Sequence, residues 1–244
     1  MRTPNKRAAI TLLFAAWTAM GPANGDQFTT DTKAVVELFT SQGCAQCPPA
    51  EALLAELGQH SNIVTLAYHV DYWDFMGWTD DFGSREYSDR QRAYNKRWGA
   101  SRIFTPQMVI NGHQGLVGSR EDEVRRAIAS AQLSVPITLD KTGDTLKVVI
   151  PPEPSVDDAS VWAVTYIPSI VTPIGGGENE GQSLPFHYVV TDREHLGYWT
   201  STEGAEFEIS LSSHSAHGLG VAILLQDDRN DLPGTILAAA SYAP

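Results

Sequence analysis

The sequence predicts an α/β domain over residues 30–134 followed by an all-β, sandwich-like domain over residues 135–244. Three observations predict this. Between Ala34 and Ala131, apolar β-branched runs alternate with segments of helical periodicity. From Val135 onward, short alternating or β-branched runs are separated by turn residues. The two cysteines of the 244-residue chain, in Cys44-Ala45-Gln46-Cys47, stand where a strand passes into a helix.

Residues 1–25 stand apart. Arg2, Lys6 and Arg7 form a positive start, Ala8 to Met20 is a short apolar stretch, and Ala23-Asn24-Gly25 fits a small-residue cleavage site. This is the layout of a secretory signal peptide, and its apolar core is too short to span a bilayer. The expected location is periplasmic or secreted, with a mature N-terminus between Asn24 and Gln27 and no membrane insertion after cleavage. Cleavage removes three positive charges and takes the formal charge from -12 to -15. A chain this acidic is a poor match for nucleic acid or an anionic membrane, both of which call for basic surface.

In the first half, Ala34–Thr40 reads as a buried strand and residues 50–57 as a helix whose leucines 53, 54 and 57 share a face. Pro48 and Pro49 suit a first helical turn, which has no intrahelical use for their missing N–H groups. The helix is therefore expected to start near Cys47 or Pro48 and to stop at Gly58. Residues 63–70 form a second strand, leading into the aromatic segment Asp71-Tyr72-Trp73-Asp74-Phe75-Met76-Gly77-Trp78. A polar helix is expected over 84–98 and a strand over 103–110. Asn111-Gly112 is a strong hairpin signal, with a return strand near Gly115-Leu116-Val117. Ser119 with Asp122 reads as a capping pair for a last helix bearing Val124, Ile128 and Ala131.

In the second half, strands are expected at 137–139, 146–150, 161–167, 186–190, 207–210, 221–226 and 236–240. The breaks contain Thr142-Gly143-Asp144, Pro151-Pro152-Glu153-Pro154, Gly175-Gly176-Gly177 and Leu232-Pro233-Gly234. Seven short strands in this length suggest an antiparallel sandwich.

The order β-α-β-α-β-β-α with C-x-x-C at the first strand-to-helix junction matches the minimal thioredoxin fold. In that fold the proline opening the third strand is cis and lies beside the cysteines; the matching bond is Thr105–Pro106. Thiol–disulfide exchange needs an attacking thiolate, a resolving thiol and a surface that holds the partner's sulfur in line. Cys44, N-terminal and nearer the exposed turn, is the expected nucleophile, and a helix N-terminus favours its thiolate. Cys47 is the expected resolving residue. Thr105 and Pro106 are the expected client-binding border. Asp71 or Asp74, at the end of the second strand with His69, is a possible proton shuttle, against the plainer reading that they order the following turn. The aromatics 72–78 and Phe82 serve equally as a partner-binding rim or as core.

Further segments carry a resemblance. Glu37-Leu38-Phe39-Thr40-Ser41-Gln42-Gly43-Cys44, Cys47-Pro48-Pro49-Ala50, His69-Val70-Asp71-Tyr72-Trp73-Asp74 with Gly77-Trp78, Gln91-Arg92-Ala93-Tyr94, and Thr105-Pro106-Gln107-Met108-Val109 with Asn111-Gly112 are similar to the signatures of exported bacterial thioredoxin-like proteins grouped only as a domain of unknown function. The resemblance covers most of 34–135 and continues more weakly at Gly177-Glu178-Asn179-Glu180-Gly181 and Leu224-Leu225-Gln226-Asp227. It implies a thioredoxin-like fold and no particular substrate.

The residues support an extracytoplasmic thiol–disulfide oxidoreductase acting on protein thiols or disulfides, without a cofactor or a resident metal. Two other readings stand beside it. A Cu(I)-binding protein would use the soft thiolates with His69, His113 or the His214/His217 pair, although Met76 and Met108 are the only methionines after residue 25. A binding module would keep the Cys44–Cys47 bond as structure alone.

Overall fold

The structure is a computed structural model that describes residues 26–29, 31–212, 214, 217–229 and 232–243. The expected signal peptide lies outside the described residues. Among them, no helix is long and apolar enough to cross a membrane.

An eight-stranded mixed sheet forms the frame. In chain order its strands are β2 (Ala34–Thr40), β3 (Ile63–His69), β4 (Gln107–Ile110), β5 (Gln114–Val117), β8 (Ala159–Pro173), β9 (Ser183–Trp199), β11 (Gly220–Arg229) and β12 (Leu232–Tyr242). Their spatial order is β12-β11-β8-β9-β3-β2-β4-β5. The central pair β2 and β3 is parallel, and every residue of both strands is buried. That burial on two faces explains their unbroken apolar runs. Helices α1 (Pro48–Leu57) and α3 (Glu121–Ala129) supply Leu53, Leu54, Leu57, Val124 and Ile128 to the core on one face. Helix α2 (Arg85–Trp98) packs Tyr87 and Tyr94 against the other.

Local chemistry sets the boundaries. Pro48 and Pro49 occupy the first positions of α1. Ser84 caps α2 by accepting from the Glu86 N–H. Asn111 and Gly112 both take positive φ, 47° and 73°, as a type I′ hairpin turn requires. Two expectations are corrected. Ser119 does not cap α3: the chain first turns through an Arg120 N–H bond to the Val117 carbonyl, so Arg120 takes the cap position without a side-chain bond. The acids 121–123 then face the helix dipole. The strand expected over 103–110 begins only at Gln107, because the carbonyls of Arg102 and Phe104 accept from the side chains of Asn95 and Gln91 on α2 instead of from a strand.

All seven strands expected in the second half are present, with β8 and β9 much longer than expected. They do not build a sandwich of their own. Strands β8, β9, β11 and β12 extend the main sheet, joined to it where β9 runs parallel to β3 at Ala67 and Val189. A separate antiparallel sheet, β1 (Asp26–Thr29), β6 (Thr138–Thr142), β7 (Thr145–Ile150) and β10 (Ala205–Ser210), packs against that extension. Leu139, Leu146 and Val148 of the small sheet meet Val161, Ile223 and Ala238 of the large one. Two β layers therefore exist, but one of them continues the α/β sheet. The reason is that β3 would otherwise leave a buried, unpaired edge.

Candidate functional site

The site forms where β2 ends and α1 begins. After Thr40 the backbone turns tightly: the Cys44 N–H donates to the Ser41 carbonyl, and the Cys47 N–H to the Cys44 carbonyl, each at 3.1 Å. Cys47 is the N-cap of α1, its carbonyl accepting from Ala50 and Glu51. Cys44 and Cys47 are joined in a disulfide, with Cα atoms 5.4 Å apart. The Thr105–Pro106 bond is cis. Trp73 links the two parts: its Cβ lies 3.5 Å from where a side chain at Gly43 would begin, and its indole N–H donates to the Thr105 hydroxyl at 2.8 Å.

The cysteines are not exposed as the turn position suggests. Ala45 and Gln46 face solvent, but Cys44 and Cys47 are only 1% and 2% exposed. The cover comes from the second half of the chain. The β8–β9 hairpin tip reaches the cysteine loop, where the Asn179 side-chain amide donates to the carbonyls of Gln42 (2.8 Å) and Cys44 (3.1 Å). The Glu178 carboxylate accepts from the Ala45 N–H at 3.2 Å.

Behind Cys47 lies a buried acid. Glu51 is one helical turn further on, on the same face of α1 as Cys47, with His69 and Thr40 as the groups that act on its carboxyl. Glu51 is 3% exposed, and neither carboxyl oxygen makes a hydrogen bond of full geometry, only the Thr40 hydroxyl standing near enough to favour its charged form. With Cys47, Ser41 and Phe186 it lines a cavity of about 70 Å³, room enough for a few waters. Burial pushes the Glu51 carboxyl up to about 7, against the pull of His69. His69 is itself fully buried and holds Asp80 at 2.8 Å through Nδ1, while its Nε2 has no partner. Burial works against a charged His69, but the Asp80 carboxylate and Glu51 outweigh it and raise its pKa. Burial likewise opposes a charged Asp80, yet His69 and the backbone N–H groups of Gln42 and Phe82 hold its carboxyl below the usual range.

The other residues singled out in the sequence fall around this centre. Asp71 bonds to the Ser88 hydroxyl and ties the end of β3 to α2. Asp74 accepts from the Asp80 backbone N–H at 3.2 Å, so it orders the turn that delivers Asp80. The aromatic segment is divided in its burial: Trp73 and Trp78 are half-buried supports, whereas Phe75 is 81% and Met76 41% exposed. His214 lies far along the chain on Thr165. Among the described residues, no three His, Cys, Asp or Glu side chains gather as a metal site.

Glu51 and the hairpin tip were the residues missed. Glu51 had a signal: positions 47, 51 and 54 share one helical stripe, and Leu54 marks that stripe as buried. An acid in a first turn more commonly faces the dipole in solvent, which hid it. Asn179 lies in the 177–181 segment that carries the weaker part of the resemblance, but nothing local connects that segment with a loop 135 residues earlier.

The model of the protein family of unknown function DUF1223 matches residues 35–226. The chain belongs to this family. The matched span includes both cysteines, Glu51, His69, Asp80 and the hairpin tip, so the family match embraces the whole site and both halves of the sheet. Among solved structures, a crystal structure of a protein from Agrobacterium tumefaciens is similar, with 29% identity, a TM-score of 0.77, and coverage of 86% of this chain and 93% of that one. No curated protein matches the chain.

Proposed function

We propose that this protein is an extracytoplasmic thiol–disulfide oxidoreductase acting on protein clients through Cys44 and Cys47. The observation that carries the reading is the pairing of a C-x-x-C disulfide with an unpartnered buried carboxyl across a shared cavity. A purely structural disulfide has no use for such a carboxyl, and burying one unbonded is costly. Exchange does use it. A client thiolate attacks the Cys44 sulfur, the Cys44–Cys47 bond breaks, and Cys47 leaves with the electron pair. Neutral Glu51 donates the proton that Cys47 takes up. A second client thiolate then attacks the client sulfur of the mixed disulfide. The client disulfide forms, Cys44 leaves as thiolate, and two electrons have passed to the pair. In the reverse direction, Glu51 accepts the Cys47 proton as that thiol resolves the mixed disulfide.

The cis Thr105–Pro106 segment and exposed Phe75 and Met76 supply the border against which a client is held. The N-terminal segment supports placement in the periplasm or outside the cell, where disulfide chemistry operates.

The burial of both cysteines favours a second reading, a closed structural disulfide. Trapping separates the two. Cys47→Ser, expressed in the exporting cell, accumulates mixed disulfides that resolve on diagonal non-reducing gels, and Cys44→Ser accumulates far fewer. No adducts from a folded Cys47→Ser protein whose Cys44 still alkylates would defeat the oxidoreductase reading.

A further inference from the structure

We infer that the β8–β9 hairpin tip controls which thiols reach the Cys44–Cys47 disulfide, with Asn179 as the residue that holds it shut. The inference deepens the oxidoreductase reading and rests on it for its biological meaning. Its chemistry stands on the disulfide alone.

Access is the problem the structure poses. Exchange requires a thiolate to approach a sulfur along the S–S axis, yet both cysteine side chains are almost fully covered. The cover near Cys44 is a discrete element. Its two strands are anchored at the base, where Ile174, Phe186 and Val189 are buried together, and the chain folds back through the Ile174 N–H bond to the Gln182 carbonyl. Its tip contacts the cysteine loop chiefly through polar groups: two bonds from one Asn179 amide and one to the Glu178 carboxylate. Asn179 is itself only 2% exposed, so its two bonds are sheltered, but they are polar, few, and replaceable by another N–H donor, unlike the apolar base.

The tip is also built to lie flat. Gly177 has φ +73°, and a Cβ there would meet the Trp78 Cβ at 3.1 Å. A Cβ at Gly176 would meet the Gly77 carbonyl oxygen at 2.7 Å. Only glycine allows this approach. Trp78 in turn donates its indole N–H to the Gln42 side chain at 2.8 Å, so the tip, the tryptophan and the cysteine loop form one stack. A client that enters must take over the Asn179 bonds. The carbonyls of Gln42 and Cys44 are acceptors that a client backbone N–H can satisfy in place of the asparagine. The site therefore selects an extended polypeptide thiol over a small thiol, which opens the tip without replacing its bonds.

The test measures second-order rates of disulfide reduction in the full chain, using dithiothreitol and a cysteine-containing unstructured peptide. Asn179→Ala and Asn179→Asp remove the donors and should accelerate reduction by dithiothreitol about tenfold, the size expected for losing two modest hydrogen bonds. Peptide reduction should change much less, so the peptide-to-dithiothreitol rate ratio falls. Asn179→Gln, which keeps the amide, should restore part of that ratio. Thermal melting of each variant shows whether the fold is intact. Equal acceleration of both reagents, or unchanged rates in folded variants, would overturn the inference. Client trapping by Cys47→Ser is a separate readout: its failure removes the oxidoreductase reading while leaving the access result standing.

Discussion

At the scale of single residues, Glu51 links the disulfide to pH. Its carboxyl is pushed up to about 7 from an ordinary 4.5 by burial. Between those values the folded chain keeps a proton that the unfolded chain has released, so stability falls as pH rises through this window and the cost is complete above it. His69, also raised, acts in the same direction, losing its contribution as pH rises through its folded pKa. Asp80, held low, stabilises above its ordinary value of 3.8 and ceases to do so as pH falls through its folded pKa. The protein should thus be most stable at mildly acidic pH. Glu51→Gln removes one of these terms. Relative to the parent it should gain stability between pH 5 and pH 8, by up to roughly 3 kcal/mol on the scale of 1.36 kcal/mol per pKa unit. Urea unfolding at the two pH values measures this. The same variant should slow resolution of the mixed disulfide by Cys47, because the acceptor of the Cys47 proton is gone. A gain that is equal at both pH values would show that Glu51 is charged throughout.

At the scale of elements, the turns were more legible than the covers. Asn111-Gly112 announced its hairpin, and the structure gives Asn111 more to do than turn. Its side-chain oxygen accepts from the Val35 N–H at 2.6 Å, and its amide donates to the carbonyls of Lys33 and Gln132, each at 3.2 Å. Asn111→Ala loses these bonds and leaves a Cβ-bearing residue without local bonding at positive φ; it should cost about 3 kcal/mol in chemical unfolding. Asn111→Gly loses the bonds but tolerates the turn, and should cost about 1 kcal/mol less. Equal costs would mean that the left-handed conformation contributes nothing. The failure at Ser119 has the opposite lesson. A capping pair is a local pattern, and a turn fixed from outside, by Pro106 accepting from the Gly118 N–H, moved the helix start past it. The sequence of the β8–β9 hairpin shows only two short strands, a glycine break and the 177–181 segment, because the hairpin's length follows from pairing partners and not from local periodicity.

At the scale of the whole molecule, the sequence changes character at Val135 but the sheet does not break there. Composition reveals which residues prefer strands; it does not reveal which distant edge a strand will join. The halves are also bound through a buried polar network. Arg90 donates twice to one Glu37 oxygen, at 3.0 and 2.7 Å, and Tyr94 donates to the other at 2.5 Å. Gln226, from the second half, accepts from Arg90 and donates to Tyr94 and to the Gly234 carbonyl. Glu37, Tyr94 and Gln226 all lie in the segments that carried the family resemblance, and their network fixes the second half, and with it the hairpin, against the α/β core. The cysteine pair was legible from the start, since strand, turn and helix are local. Its cover was not, since that depends on the long-range closure of the sheet; its buried acid was marked only by the helical stripe it shares with Leu54.

The central claim is that Cys44–Cys47 is an exchange-active pair. Its reduction potential, measured by equilibration of the full chain in glutathione or dithiothreitol buffers, tests this most directly. An active pair should lie in the range of known oxidoreductases, from about -270 to about -120 mV. A potential below about -300 mV, the range of inert structural disulfides, would contradict it.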